Sequence, residues 1–226
     1  MLVAIDTSTE VASLALAAGG ATLAELTWRS GQNHTTQLLP NLDYLLKLVG
    51  ADVTAIEAVI VAIGPGSFNG LRVGISAAKG MAFSLGVPII GLGSLEVEAY
   101  QYAESGLPVC PIFSAGRGEV ATALFRRTGG DWRRLKPDHI STVEQICLET
   151  AEKTLFCGEH ASAAAADLTA RLGEKAAVAA GTSDLRRAAY LAELGMKRLS
   201  AGQADDAVTL QPIYLRRPAI TIAKHR

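Results

Sequence analysis

The chain has 226 residues, 49% of them hydrophobic, and a formal net charge of −1. That suits one large globular domain or two small ones and excludes a strongly electrostatic nucleic-acid binder, which needs a concentration of Lys and Arg to neutralise phosphates. No apolar run approaches the roughly 20 residues that cross a bilayer, and no basic region precedes an apolar segment at Met1-Leu2-Val3, so a cytoplasmic protein with no membrane partner is expected.

Leu2 to Asp6 reads as a short apolar strand closing in the polar turn Asp6-Thr7-Ser8-Thr9. Its carboxylate and hydroxyls suit a phosphate, a metal-bound water or only the backbone N–H groups of an Asx-type turn. Val11 to Ala17 and Ala21 to Thr27 read as two further strands joined by a Gly19-Gly20 hairpin, giving an antiparallel meander. A polar loop then leads to a helix from His34 to Val49. Leu38, Leu42, Leu45 and Val49 form its stripe, and Leu39 and Leu46 widen it enough to demand two packing partners.

Glu57 to Ile63 is a buried strand, and Leu71, Ile75, Ala78, Ala82 and Leu85 recur at helical spacing beyond it. Between them runs Gly64-Pro65-Gly66-Ser67-Phe68-Asn69-Gly70, where Ser67 or Asn69 can cap the helix. Strand, glycine turn and helix N-terminus together can cradle an anion, or the glycines merely shape a tight turn. Spelled out, neither the P-loop nor the dinucleotide fingerprint is present, because Asn69 occupies the position where each requires glycine. Gly70, Gly74, Ala77 and Ala78 leave a smooth surface, with Leu71, Ile75 and Met81 as bulk, that either this chain or a partner helix covers.

Val87 to Leu92 is another strand, followed by a helix from Ser94 to about Glu104. A second half then echoes the first. Leu107 to Phe113 and Gly118 to Arg126 pair, with a short strand near Trp132. Ser141-Thr142-Val143-Glu144 has capping-box spacing for a helix to about Glu152. Thr154 to Cys157 is a strand, His160 to Leu172 a helix, Glu174 to Ala180 a last strand. Thr182 or Ser183 caps a helix ending near Leu199, and Val208 to Arg216 is extended up to Pro218.

Cys110, Cys147 and Cys157 are odd in number and contain no Cys-x-x-Cys pair, so they read as core thiols. His34 has Gln37 and Leu38 where a helical metal pair needs a second ligand, which makes it a helix-start or interface residue. The basic groups Arg126-Arg127, Arg133-Arg134 with Lys136, Arg186-Arg187, Arg216-Arg217 and Lys224-His225-Arg226 read as solvated surface.

Ala4-Ile5-Asp6-Thr7-Ser8-Thr9, the turn from Gly64 to Gly74 and Ala78-Lys79-Gly80 together resemble the bacterial family of tRNA threonylcarbamoyladenosine biosynthesis proteins, TsaB, formerly classed as glycoprotease-like. His34 with Leu38-Leu39-Pro40, Gly116 to Val120 and Pro212 to Arg216 extend the resemblance along the whole chain. It implies an α/β fold of the actin, sugar kinase and Hsp70 type with two duplicated ribonuclease H-like subdomains, here 1–104 and 105–226, the C-terminal segment packing back on the first. It implies a non-catalytic scaffold for threonylcarbamoyl transfer to adenosine 37 of tRNAs reading codons that begin with A. The partners implied are the catalytic paralogue TsaD and the ATPase TsaE, with a homodimer when alone and tRNA met through the complex.

The partner face expected on this basis comprises His34, Leu38, Leu42, Leu45, Leu71, Gly74, Ile75, Ala78 and Met81, with a long charged residue at Gly74 or Ala78 blocking association without unfolding the monomer. Asp6, Thr7, Ser8, Gly66 and Ser67 form a vestigial phosphate-site turn. The family usually carries Asp at Ser114 and Thr at Asn69. The first departure removes an acid from the second half and weakens any nucleotide site, so no cofactor is required. A minimal ATPase or kinase, and a metalloprotease, are the competing readings.

Overall fold

The wholly buried run Leu2–Asp6 forms β1, paired antiparallel with β2 (Val11–Ala18), which pairs antiparallel with β3 (Ala21–Arg29). Gly19 and Gly20 turn the hairpin at φ +56° and +83°, a region that glycine enters without steric cost. After α1 (His34–Leu48), β4 (Ala58–Gly64) lies parallel to β1, and α2 (Phe68–Leu85) returns the chain to β5 (Ile89–Gly93), parallel to β4. The five strands stand in the order β3-β2-β1-β4-β5. This computed structural model describes residues 1–179 and 185–216.

A short helix, α3 (Ser94–Tyr100), leads into the second half. There β6 (Val109–Gly116), β7 (Glu119–Thr128) and β8 (Asp131–Ser141) form a second meander. α4 (Val143–Glu149), β9 (Thr154–Cys157), α5 (Ala161–Leu172) and β10 (Ala176–Val178) follow, and the sheet order is β10-β9-β6-β7-β8. Counted from its own first strand, this sheet repeats the order of the first.

Several local expectations differ from the structure. The short strand near Trp132 is the 11-residue β8. It contains Pro137, which an edge strand tolerates because its outer backbone groups need no partner. α4 is capped by Thr142, whose hydroxyl accepts from Gln145 N, rather than by Ser141, and it ends at Glu149 rather than near Glu152. Residues 207–209 turn, so the segment from Val208 to Arg216 is not one extended run. The proposed caps Thr182 and Ser183 lie outside the described residues.

The helices divide unevenly between the sheets. α1 and α2 cover one face of the first sheet, burying Leu38, Leu42, Leu45, Leu71, Ile75 and Ala78 against Val3, Ile5, Leu14 and Leu16. α4 and α5 cover the matching face of the second, with Ile146, Ala164 and Leu168 on Ile112, Val120 and Phe156. The remaining faces are covered in part crosswise, for α3 also sets Val97 and Tyr100 into the core of the first sheet. α3 presents Leu95 and Ala99 to Val109, Phe113 and Phe125 of the second sheet. The last helix, α6 (Ala188–Ser200), lays Ala188, Leu191 and Leu194 on Leu2, Ala4 and Ile60 of the first. Its opening N–H groups are satisfied from that sheet: Ala188 N donates to Ser13 Oγ at 3.0 Å and Ala189 N to Glu25 Oε1 at 2.8 Å.

The chain then crosses back over both units. Asp205 bridges to Ile89, Ile213 N donates to Ile63 O at 2.7 Å, and Arg216 pairs with Glu119 of the second unit.

Candidate functional site

The turn after β1 and the turn before α2 meet at the carboxyl ends of their parallel strands, the place where open α/β sheets usually take ligands. Here they close on each other. Ser67 N donates to Ser8 O at 2.7 Å, and Thr7 Oγ1 donates to Gly70 O at 2.7 Å. A Cβ on Gly66 would lie 2.2 Å from Ser8 O, on Gly70 2.1 Å from Thr7 O, and on Gly74 2.3 Å from Thr7 Oγ1. The glycines therefore let α2 approach the first turn until their backbones touch. Ser67 caps α2 through Gly70 N at 3.3 Å.

Asp6 is 1% exposed, and both its oxygens are engaged within the chain. Oδ1 accepts from Ser8 N at 2.9 Å and from Ser8 Oγ at 2.5 Å, the geometry of an Asx turn. Oδ2 forms an ion pair at 3.1 Å with Arg186 Nε. Arg186 Nη2 donates to Thr9 Oγ1 at 2.7 Å, and the guanidinium lies 4.9 Å from the centre of the Phe113 ring in the second unit. So the carboxylate that a phosphate or a metal would approach already faces a buried cation.

Arg186 corrects the sequence expectation that the Arg186-Arg187 pair is solvated surface, for it is only 5% exposed. A buried Asp requires such a partner, but nothing in the spacing said which of the chain's cations supplies it. Ser114, the expected weak point of the second half, is exposed. The acid that approaches Arg186 from that half is Glu159, one turn beyond β9. Its side chain reaches the surface while protein atoms crowd its carboxyl. That loss of water holds its pKa above the ordinary range, against the pull of Arg186.

The expected partner face is also corrected. His34, Leu38, Leu42, Leu45, Leu71, Gly74, Ile75 and Ala78 are buried within this chain, and Met81 is half-buried. The most regular apolar stripe on each helix is the one its own sheet hides, and the smooth patch at Gly70 and Gly74 accommodates Thr7 rather than another molecule. A long charged side chain at Gly74 or Ala78 would therefore break the fold before it reached a partner. His34 Nε2 lies 2.8 Å from Thr9 O, which requires the proton on Nε2 and ties α1 to the first turn.

What remains outward on this side is different in kind. α1 and α2 lie against each other, and their outer surfaces expose Leu39, Tyr44, Leu48 at 63% and Phe83 at 64%. Gly80 has nothing within 4 Å of where a Cβ would sit, so no contact inside the chain accounts for it.

Elsewhere the basic groups singled out in the sequence are largely paired. Arg126 pairs with Glu152, Arg127 with Glu104, Arg133 with Asp131, Arg134 with Glu96 and Asp138, Lys136 with Glu149 and Arg187 with Glu25. Arg217 and the Lys224-His225-Arg226 group lie outside the described residues. All three cysteines are buried. Among the described residues no group of three His, Cys, Asp or Glu side chains is placed to hold a metal ion, and no helix is long and apolar enough to cross a membrane.

A family model described as TsaD, tRNA N6-adenosine threonylcarbamoyltransferase, matches residues 28–224. The chain is 30% identical to the tRNA threonylcarbamoyladenosine biosynthesis protein TsaB of Bacillus subtilis (strain 168) over 95% of this chain and 93% of that one. Among solved structures, YeaZ from Pseudomonas aeruginosa is similar with a TM-score of 0.80 at 27% identity, covering 95% of this chain and 99% of that one. The ethanolamine utilization protein EutJ from Carboxydothermus hydrogenoformans shares the fold alone, with a TM-score of 0.53 at 14% identity over 86% and 90% of the two chains. The fold is that of the actin, sugar kinase and Hsp70 type, α/β with two five-stranded sheets.

Proposed function

The chain belongs to the TsaD family and, within it, to the TsaB proteins of tRNA threonylcarbamoyladenosine biosynthesis, and from that membership we propose that it is the non-catalytic subunit of the threonylcarbamoyl-transferring assembly. Its role there is to bind a catalytic paralogue of the TsaD type, with the ATPase TsaE joining them, for modification at adenosine 37. It needs no cofactor of its own, meets tRNA mainly through the complex, pairs with a second copy when the paralogue is missing, and works in the cytoplasm.

The observation that carries the non-catalytic part is the sealed turn. Asp6 accepts from Ser8 and faces Arg186, and Gly66 and Gly70 lie in backbone contact with Ser8 and Thr7, so the acid and the glycine turn make their contacts within the fold. The outward apolar side of α1 and α2 supports the partner role, because Leu48 and Phe83 are large and exposed, and the bare Gly80 lies one helical turn before Phe83.

The test is a Gly80→Arg, Phe83→Glu double variant. Arg is the better helix former by roughly 0.8 kcal/mol, and exposed changes generally move stability by no more than about 0.5 kcal/mol, so the isolated protein should remain folded. Co-purification with TsaD should disappear, and the variant should fail to restore threonylcarbamoyladenosine, read by nucleoside mass spectrometry of bulk tRNA, in cells depleted of the wild-type protein. Undiminished binding would remove this face from the proposal. Persistence of the modification after depletion would overturn the function.

A further inference from the structure

The cleft between the two units holds a cation where its acidic turn leads one to expect a ligand, and the partners of that cation come from both sides. From the first unit Asp6 supplies a carboxylate at 3.1 Å and Thr9 a hydroxyl at 2.7 Å. From the second, Phe113 offers its ring face at 4.9 Å. A carboxylate, a hydroxyl acceptor and an aromatic face are what a guanidinium requires, because it is planar, donates in a fork and stacks on π systems. Asp6 Oδ2 and Arg186 Nε and Nη1 are buried with no hydrogen bond, so the cation is held by the charge of Asp6, the single bond to Thr9 and the ring face.

We propose that the inter-unit cleft is a guanidinium-binding site filled in cis, with Arg186 as a permanently bound internal ligand that holds the two halves together. The site has the opposite charge preference to a phosphate cradle. Asp6, Thr9 and Phe113 face a planar cation, so an approaching polyphosphate meets a carboxylate and a hydroxyl already turned to Arg186. Closure of the cleft then depends on no small molecule supplied from outside. The inference rests on this geometry alone and stands apart from the tRNA-modification reading.

Arg186→Ala removes a side chain whose missing portion is N-ethylguanidinium, so that compound is the probe. The variant should lose roughly 10 °C in Tm, as expected when one partner of a buried ion pair is deleted in a protein of this size. N-ethylguanidinium chloride, on the order of 10 mM, should raise the Tm of the variant saturably, by mass action on the folded state. Ethylammonium chloride at equal concentration carries the charge without the fork and should restore much less. Wild-type protein should not respond to either, and the Asp6→Asn, Arg186→Ala double variant should lose the response.

An equal shift in the wild type or in the double variant would overturn the proposal, as would a single variant as stable as wild type with no response. If Arg186→Ala is recovered only unfolded, the same comparison is made on refolding yield. N-ethylguanidinium should restore it and ethylammonium should not. Equal yields with both salts would refute a guanidinium-specific site.

Discussion

Gly74→Ala tests most directly the account of why α2 is smooth where it meets the first turn. In an exposed helix the change would stabilise by roughly 1 kcal/mol, since glycine loses the most backbone freedom on folding. Here the new methyl would sit 2.3 Å from Thr7 Oγ1, which donates to Gly70 O at 2.7 Å in a buried setting. Either Thr7 turns away and abandons that bond, at about 1–3 kcal/mol, or the helix shifts off the sheet, at about 1–3 kcal/mol for overpacking. The steric term wins, and the net result should be a loss of about 1–2 kcal/mol.

The same reasoning reverses the sign in another background. With Thr7→Ala the clashing oxygen is gone and the next contact, the residue 7 Cβ, stands at an ordinary 3.5 Å. Gly74→Ala should then be neutral or stabilising by up to about 1 kcal/mol, giving a coupling energy of about 2 kcal/mol between the two sites. Urea unfolding of the four proteins, followed through Trp28 and Trp132, measures the cycle. A stabilising Gly74→Ala in the wild type, or the same effect in both backgrounds, would refute the claim that Thr7 dictates glycine at this position.

Two further outcomes are expected. Burial pushes the Cys110 thiol up to about 11, so folding is favoured below the ordinary thiol range and loses stability as the unfolded chain ionises first. Between about pH 8.5 and pH 11 the wild type should therefore fall relative to Cys110→Ala by roughly 1 kcal/mol per pH unit. Parallel stability curves in urea would contradict this. Glu25→Ala should cost about 1–2 kcal/mol, because it strips both an N-terminal acceptor from α6 and the partner of Arg187, whose Nε lies at 2.9 Å. Hydrogen exchange at Ala189 should accelerate in the variant. Unchanged protection would mean that the helix end finds another acceptor.

The parts legible from sequence are those governed by neighbours along the chain. Leu2–Asp6 and Thr154–Cys157 stand where their apolar runs place them, the Gly19-Gly20 hairpin turns as its residues demand, and Ser67 caps α2. Contacts made across long separations left no such mark. Arg186 reaches Asp6 over 180 residues, and α6 borrows its caps from Ser13 and Glu25, so a search for local capping residues looks in the wrong place. Periodicity also locates an apolar stripe without saying what covers it. On α1 and α2 the regular stripe was assigned to a partner, yet it belongs to the first sheet, and the outward residues Leu39, Leu48 and Phe83 fall off the main repeat.

The crosswise placement of α3 and α6 has a consequence for how the molecule comes into being. The first sheet is synthesised complete by Gly93, but α6, which shares its second face with Val97 and Tyr100 of α3, ends at Ser200, so during translation that face stays partly uncovered until late. α3, made with the first half, meanwhile carries Leu95 and Ala99 that only the second sheet can bury. Neither half is a finished object, and cutting the gene between them should yield two polypeptides that fold only in each other's presence.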